Sequence, residues 1–147
     1  MQLSFIAKAA FALAALAGAA CAQADVQHIV AFRYQAGVTA DTRADIARRF
    51  VALKNVARRD GRAYIVDIKT GKAISREGMD QGFEEVFVVT FRDTADRDYF
   101  VGQPYRPAMD PDHEAVARVA EPLLARDAAG KRSGLFVFDF DDGVQRP

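Results

Sequence analysis

The chain has 147 residues, enough for one domain with a single core, and its twenty Lys and Arg are balanced by twenty Asp and Glu. A formal net charge of zero argues against a polyanion-binding protein, so no nucleic-acid partner is expected. Half of the residues are hydrophobic, but they are concentrated at the start of the chain, so the whole divides into an apolar leader and an ordinary mixed domain.

Residues 1–24 read as a secretory signal peptide. Lys8 and the amino terminus are cationic, residues 9–20 are uncharged and apolar, and Ala22-Gln23-Ala24 supplies the small-x-small cleavage pattern. The apolar run is too short to cross a bilayer, which needs about 20 residues, and no transmembrane segment is expected elsewhere. Cleavage makes Asp25 the first residue of a single domain over 25–147, exported to the periplasm. Cys21, the only cysteine, is discarded with the leader; the alternative is a lipoprotein anchored through it. The remaining domain then has no disulfide or thiolate chemistry.

Residues 27–34 form the first strand, with His28, Val30, Phe32 and Tyr34 on one face. Thr39 is a plausible N-cap, and Ile46, Phe50, Leu53 and Ala57, spaced by four, three and four, line one face of the helix that follows. Asp60-Gly61 ends it. Strands are expected at 63–69 and 84–91, joined by the long polar segment 70–81. Thr94 caps a helix carrying Tyr99 and Phe100, which Pro104 and Pro107 interrupt. Asp110 caps a fresh helix with Pro111 at its first position; Val116, Val119, Ala120 and Leu123 form its stripe, and Pro122 predicts a kink or early stop. The last strand is 135–140. The order β-α-β-β-α-β is the ferredoxin-like α+β arrangement.

An antiparallel sheet with one wet face alternates apolar and polar residues. Here Phe136, Phe138 and Phe140 occupy one face of the last strand while Leu135 and Val137 occupy the other, and the third strand is apolar on both sides. Two helices cover only one face. A second copy stacked sheet to sheet would cover the other, so a homodimeric α/β barrel is expected.

Taken together, these segments resemble the stress-responsive α/β-barrel (Dabb) domain family. The resemblance runs over residues 27–140. It rests on the opening strand from Gln27 to Tyr34, Gly37-Val38-Thr39, Gly82-Phe83-Glu84, Tyr99-Phe100, Asp110-Pro111-Asp112-His113, Pro122-Leu123-Leu124 and the closing Val137-Phe138-Asp139-Phe140. It implies a dimeric ferredoxin-like barrel. Most members of the family have no established activity, and one is a cofactor-free polyketide cyclase.

Two histidines are the available acid/base groups. His28 is either a proton-transfer group inside the barrel or a core histidine orienting local structure. His113 lies in the first turn of its helix, where the dipole disfavours the cation and suits a neutral base. By resemblance, His113 matches the second histidine of the family's His-Pro-x-His motif, with Asp110 standing at the first. Tyr99 matches the tyrosine that partners the base. Their separation is longer than in the family because residues 103–109 are inserted, forming a lid or parting the two groups. His28, Tyr99 and His113 are therefore the catalytic candidates, and Phe32, Tyr34, Phe87 and Phe136 the expected lining of a ligand cavity.

Asp139, Asp141 and Asp142 lack the spacing of a calcium loop and read as a solvated acidic end. No metal site and no cofactor is expected. The favoured function is a small-ligand-binding or protective homodimer without established catalysis, its ligand a small aromatic or apolar molecule. The alternative is a cofactor-free lyase, isomerase or cyclase-like enzyme using His113 or His28.

Overall fold

The computed structural model describes residues 25–143; the expected leader, with Cys21, lies outside them. Four strands and three helices follow in the order β1 (Val26–Phe32), α1 (Ala40–Val56), β2 (Ile65–Lys72), β3 (Glu85–Phe91), α2 (Thr94–Val101), α3 (Pro111–Ala120) and β4 (Leu135–Asp141). One 3-10 turn, Glu121–Leu123, follows α3. The strands form one antiparallel sheet in the order β2-β3-β1-β4. This is the expected ferredoxin-like α+β topology.

Local chemistry accounts for the helix boundaries. The Thr39 hydroxyl accepts from the Thr42 amide, and Ile46, Phe50 and Leu53 are the buried stripe of α1. That helix stops at Val56, where Ala57 turns extended, before the left-handed Asp60-Gly61 turn. For α2 the cap is Asp93, not Thr94: its carboxylate accepts from the Asp96 amide. The expected cap of α3 is in place, with Asp110 accepting from the His113 amide and Pro111 at the first turn. Pro122 coincides with the 3-10 turn, the early stop its missing N–H requires. The second strand lies further along than 63–69: Thr70, Gly71 and Lys72 pair with Phe87, Val86 and Glu85, and a bulge lies between Ile65 and Asp67.

The register sorts every strand residue onto a face. Val26, His28, Val30 and Phe32 of β1 and Glu85, Phe87, Val89 and Phe91 of β3 turn toward the helices and are buried. Phe50 stacks on Phe87 with ring centroids 4.2 Å apart, and Phe100 meets Phe91 at 5.2 Å, which forms the core between α1, α2 and the sheet. Asp96 is buried in this layer's edge, held by Arg59 and Arg92, each at 2.9 Å.

Cross-strand partners Ile29 and Phe138, and Ala31 and Phe136, point the other way, beside Val88 and Val86. Among the described residues no element of the chain covers that face. Phe136, Phe138 and Phe140 remain 46, 54 and 40% exposed on it.

Candidate functional site

On the helix-facing side of the sheet, β1, β4, α3 and the segment after α2 enclose a cavity of about 240 Å³. Its wall is mostly apolar, including Val30, Phe32, Phe50, Val116 and Leu124, and both His28 and His113 line it. A mostly apolar cavity with a few converging polar groups is the ordinary form of a small-molecule site.

The pleat of β1 aims His28 inward. Pairing with β4 puts Asp139 opposite it, and His28 Nδ1 donates to Asp139 Oδ1 at 2.5 Å. Arg97, from α2, holds the second oxygen of the same carboxylate. Burial alone would raise the Asp139 carboxyl, but hydrogen bonding to His28 and the charges of His28 and Arg97 hold it below its ordinary value. Asp139 thus remains an acceptor, Nδ1 of His28 carries a hydrogen, and Nε2 is the ring nitrogen left for chemistry.

His113 is fixed differently. Its Nδ1 donates to the Phe100 carbonyl oxygen at 2.8 Å, and its ring stacks on that of Phe100 at 3.8 Å. A carbonyl can only accept, so Nε2 of the neutral ring bears a lone pair. Burial is the main cause that lowers the His113 pKa to about 4; repulsion from His28 lowers it too, against opposing contributions from the Phe100 carbonyl and Asp110. The two imidazoles therefore share one cavity in contrasting settings: one backed by a carboxylate, the other kept neutral.

Asp110 supports this arrangement. It is wholly buried, and its Oδ1 accepts the His113 amide at 2.9 Å. Its other carboxylate oxygen and the Tyr64 hydroxyl are buried in the same region, and Tyr64 interacts with the Asp110 side chain. Burial, then the neighbouring Asp110 carboxylate, raises the Tyr64 phenol.

Tyr99 does not join the histidines. Its hydroxyl donates to the Arg58 carbonyl at 3.3 Å, and its ring lies against Tyr64, Arg59 and Arg106. Successive helix residues point about 100° apart, so an α2 that buries Phe100 turns Tyr99 to another side. The inserted segment 103–109 does contribute to the cavity, through Gln103 and Met109.

The expected aromatic lining is corrected in three of four positions. Phe32 lines the cavity. Phe87 is fully buried in the core behind it, stacked on Phe50. Tyr34, beyond the end of β1, donates to Glu85 at 2.8 Å and borders a separate, wider depression of about 610 Å³ beside Arg43, Lys72 and Glu84. That depression holds no histidine, and Arg43 is already paired with Glu84. Phe136 lies on the opposite face of the sheet, against Phe83. Strand alternation puts Phe136 and Phe32 on opposite sides of one layer, so they share no cavity.

Asp139 is a second correction. Read as part of a solvated acidic end, it is the partner of His28. The available signal was its alternation with Val137 and Leu135, which places it on the face of β4 opposite the phenylalanines. Among the described residues no three His, Cys, Asp or Glu side chains cluster as metal ligands.

The model of the stress responsive A/B barrel domain matches residues 26–142. Among solved structures, a hydroxynitrile lyase from Passiflora edulis is similar over 85% of this chain and 99% of its own, with 20% identity and a TM-score of 0.63. A dimeric ferredoxin-like protein of unknown function from Jannaschia sp. CCS1 is similar over 80% of this chain and 98% of its own, with 16% identity and a TM-score of 0.60. A Dabb family protein with a ferredoxin-like fold from Mesorhizobium loti covers 80% and 96% respectively, at 15% identity and a TM-score of 0.56. No curated protein sequence matches significantly. At these identities the structural likeness speaks for the fold.

Proposed function

Since the chain belongs to the stress responsive A/B barrel domain family, we propose that it is a homodimeric small-molecule barrel whose cavity carries out cofactor-free proton transfer. The observation that carries this reading is the pairing of carboxylate-backed His28 with neutral His113 on one apolar cavity. His28 exchanges a proton at Nε2, and Asp139 stabilises the imidazolium formed when it takes one up. His113 accepts a hydrogen bond from a substrate hydroxyl at its own Nε2. The substrate is a small, largely apolar molecule with a carbonyl or hydroxyl group. The likeness to a hydroxynitrile lyase is consistent with lyase chemistry of this kind.

Two probes test it. Hydrogen exchange alpha to the carbonyl of 2-hydroxyacetophenone, whose hydroxyl can donate to His113, reads bare proton transfer in D2O, and benzaldehyde release from mandelonitrile reads cleavage. The wild type should accelerate at least the exchange over buffer, and His28→Asn and His113→Gln should not. No acceleration by the wild type, or equal acceleration by both variants, rejects the catalytic reading.

A second reading is a ligand-binding or protective dimer without catalysis. It is favoured by one observation: Tyr99, the family's partner to the base, lies outside the cavity. Native mass spectrometry that finds a small molecule retained and unaltered would support it.

Dimerisation through the open sheet face is supported by the exposed phenylalanines of β4 and by relatives described as dimeric. Export is part of the proposal on the sequence of residues 1–24 alone. Amino-terminal sequencing of periplasmic protein should begin at Asp25; a lipidated Cys21 would replace that reading with membrane anchoring.

A further inference from the structure

The cavity has two poles. His28 and His113 stand at one end. Four residues further along β1, beside Phe32, it is bounded by Glu121 and Arg132, which are paired at 3.0 Å. The run of α3 gives the same polarity, with His113 in its first turn and Glu121 just past its last residue. At about 3.3 Å per strand residue the poles are about 13 Å apart, room for an extended chain of about eight carbons between the head groups. The wall between them is apolar.

Arg132 is half exposed and its planar fork has five N–H donors, only two of which reach Glu121. Arg126 and Lys131 lie in the same connecting segment, where three basic residues outnumber Glu121 and Asp127. Arg126 bonds a main-chain carbonyl there instead of a carboxylate. This end therefore favours an anion over a cation, and the guanidinium fork favours a carboxylate.

We infer that the cavity binds an aliphatic carboxylate of medium chain length, with its carboxylate on Arg132 in exchange for Glu121 and its chain running past Val116 and Leu124 toward the histidines. This rests on the same cavity being the ligand site and names the class of molecule it takes. It makes Arg132 the residue that selects the ligand's distal end, and Glu121 the internal competitor for that position.

Calorimetric titration of the domain with sodium octanoate, well below its micellar concentration, with 1-octanol and butanoate as comparisons, provides the test. Octanoate should bind about tenfold more tightly than 1-octanol, and butanoate too weakly to measure. Arg132→Gln should reduce octanoate to the affinity of 1-octanol, whereas Glu121→Gln should tighten octanoate and leave 1-octanol unchanged. Both side chains are partly solvent-exposed, and unchanged far-ultraviolet circular dichroism of each variant checks that the fold is kept. Ala117→Phe, which fills the cavity, should abolish octanoate binding. Equal affinity for octanoate and 1-octanol, insensitivity to Arg132→Gln, or octanoate binding that survives Ala117→Phe would each overturn the inference. Arg132-dependent binding without proton exchange sinks the catalytic reading alone; exchange without Arg132-dependent binding sinks this one alone.

Discussion

Phe100 holds His113 twice, accepting a hydrogen bond from its Nδ1 at 2.8 Å and stacking on its ring at 3.8 Å with the planes 9° apart. The contact fixes the tautomer and removes the ring from water together. It also has a consequence for stability. The folded-state pKa is lowered from 6.5 to about 4, so between these values the unfolded chain binds a proton that the native protein does not. Stability contributed by this group is fully present above pH 6.5 and is lost as pH falls toward 4, by up to about 3 kcal/mol. Denaturant midpoints measured from pH 7 to pH 4 should therefore fall more steeply in the wild type than in His113→Gln. Equal slopes would show that His113 titrates in the fold as it does in the unfolded chain.

Asp139→Asn leaves the shape of the β4 partner and removes its charge. His28 Nδ1 then faces a neutral acceptor in place of a carboxylate, and Arg97 loses one of its two carboxylates. Proton exchange should drop by about 10²-fold or more, with the loss concentrated in the rate at saturating substrate rather than in binding. A variant that exchanges as fast as the wild type would reduce Asp139 to a structural partner of Arg97.

Much of the fold is legible in the residues themselves, because local rules act where they stand. Thr39 and Asp110 are caps within a turn of the helices they start, Pro111 is preorganised for a first turn, and the stripe from Ile46 to Ala57 needs only helical spacing. The site is less legible, because it depends on register and rotation. His28 shares a face with Val30 and Phe32 by simple alternation, but its pairing with Asp139 exists only in the β1–β4 register, which neither strand specifies alone. Tyr99 and Phe100 are adjacent aromatics, and which one turns inward is decided by how α2 docks. The resemblance singles out Tyr99; packing buries Phe100.

Gly102 closes the neck of the inserted segment. Its φ of +73° lies in the region that side chains avoid, and a Cβ there would stand 2.5 Å from the Met109 amide nitrogen. One residue on, the Asp110 amide donates to the Tyr99 carbonyl, so the two ends of the insertion are tied where α3 begins. Gly102→Ala combines backbone strain with a backbone clash and should destabilise by roughly 2–4 kcal/mol. The displacement would reach Asp110 and with it His113. Thermal melts should show the loss, and an unchanged melting temperature would mean that the neck can open at little cost.

Phe138 and Val137 separate two ways in which β4 could bring chains together. They are neighbours with similar exposure, 54 and 47%, but Phe138 pairs with Ile29 on the open sheet face while Val137 pairs with Val30 and lines the cavity. Face-to-face stacking buries Phe138 and not Val137, whereas edge-to-edge pairing of two β4 strands would leave both faces of β4 uncovered. A lysine introduced into a stacked apolar interface must be desolvated without a partner, which costs far more than at an exposed position. Phe138→Lys should therefore give a folded monomer by gel filtration with light scattering at micromolar concentration, its far-ultraviolet circular dichroism unchanged. Val137→Lys should remain a dimer. If both variants stay dimeric the open face is not the interface, and if the wild type runs as a monomer its exposed phenylalanines have another role.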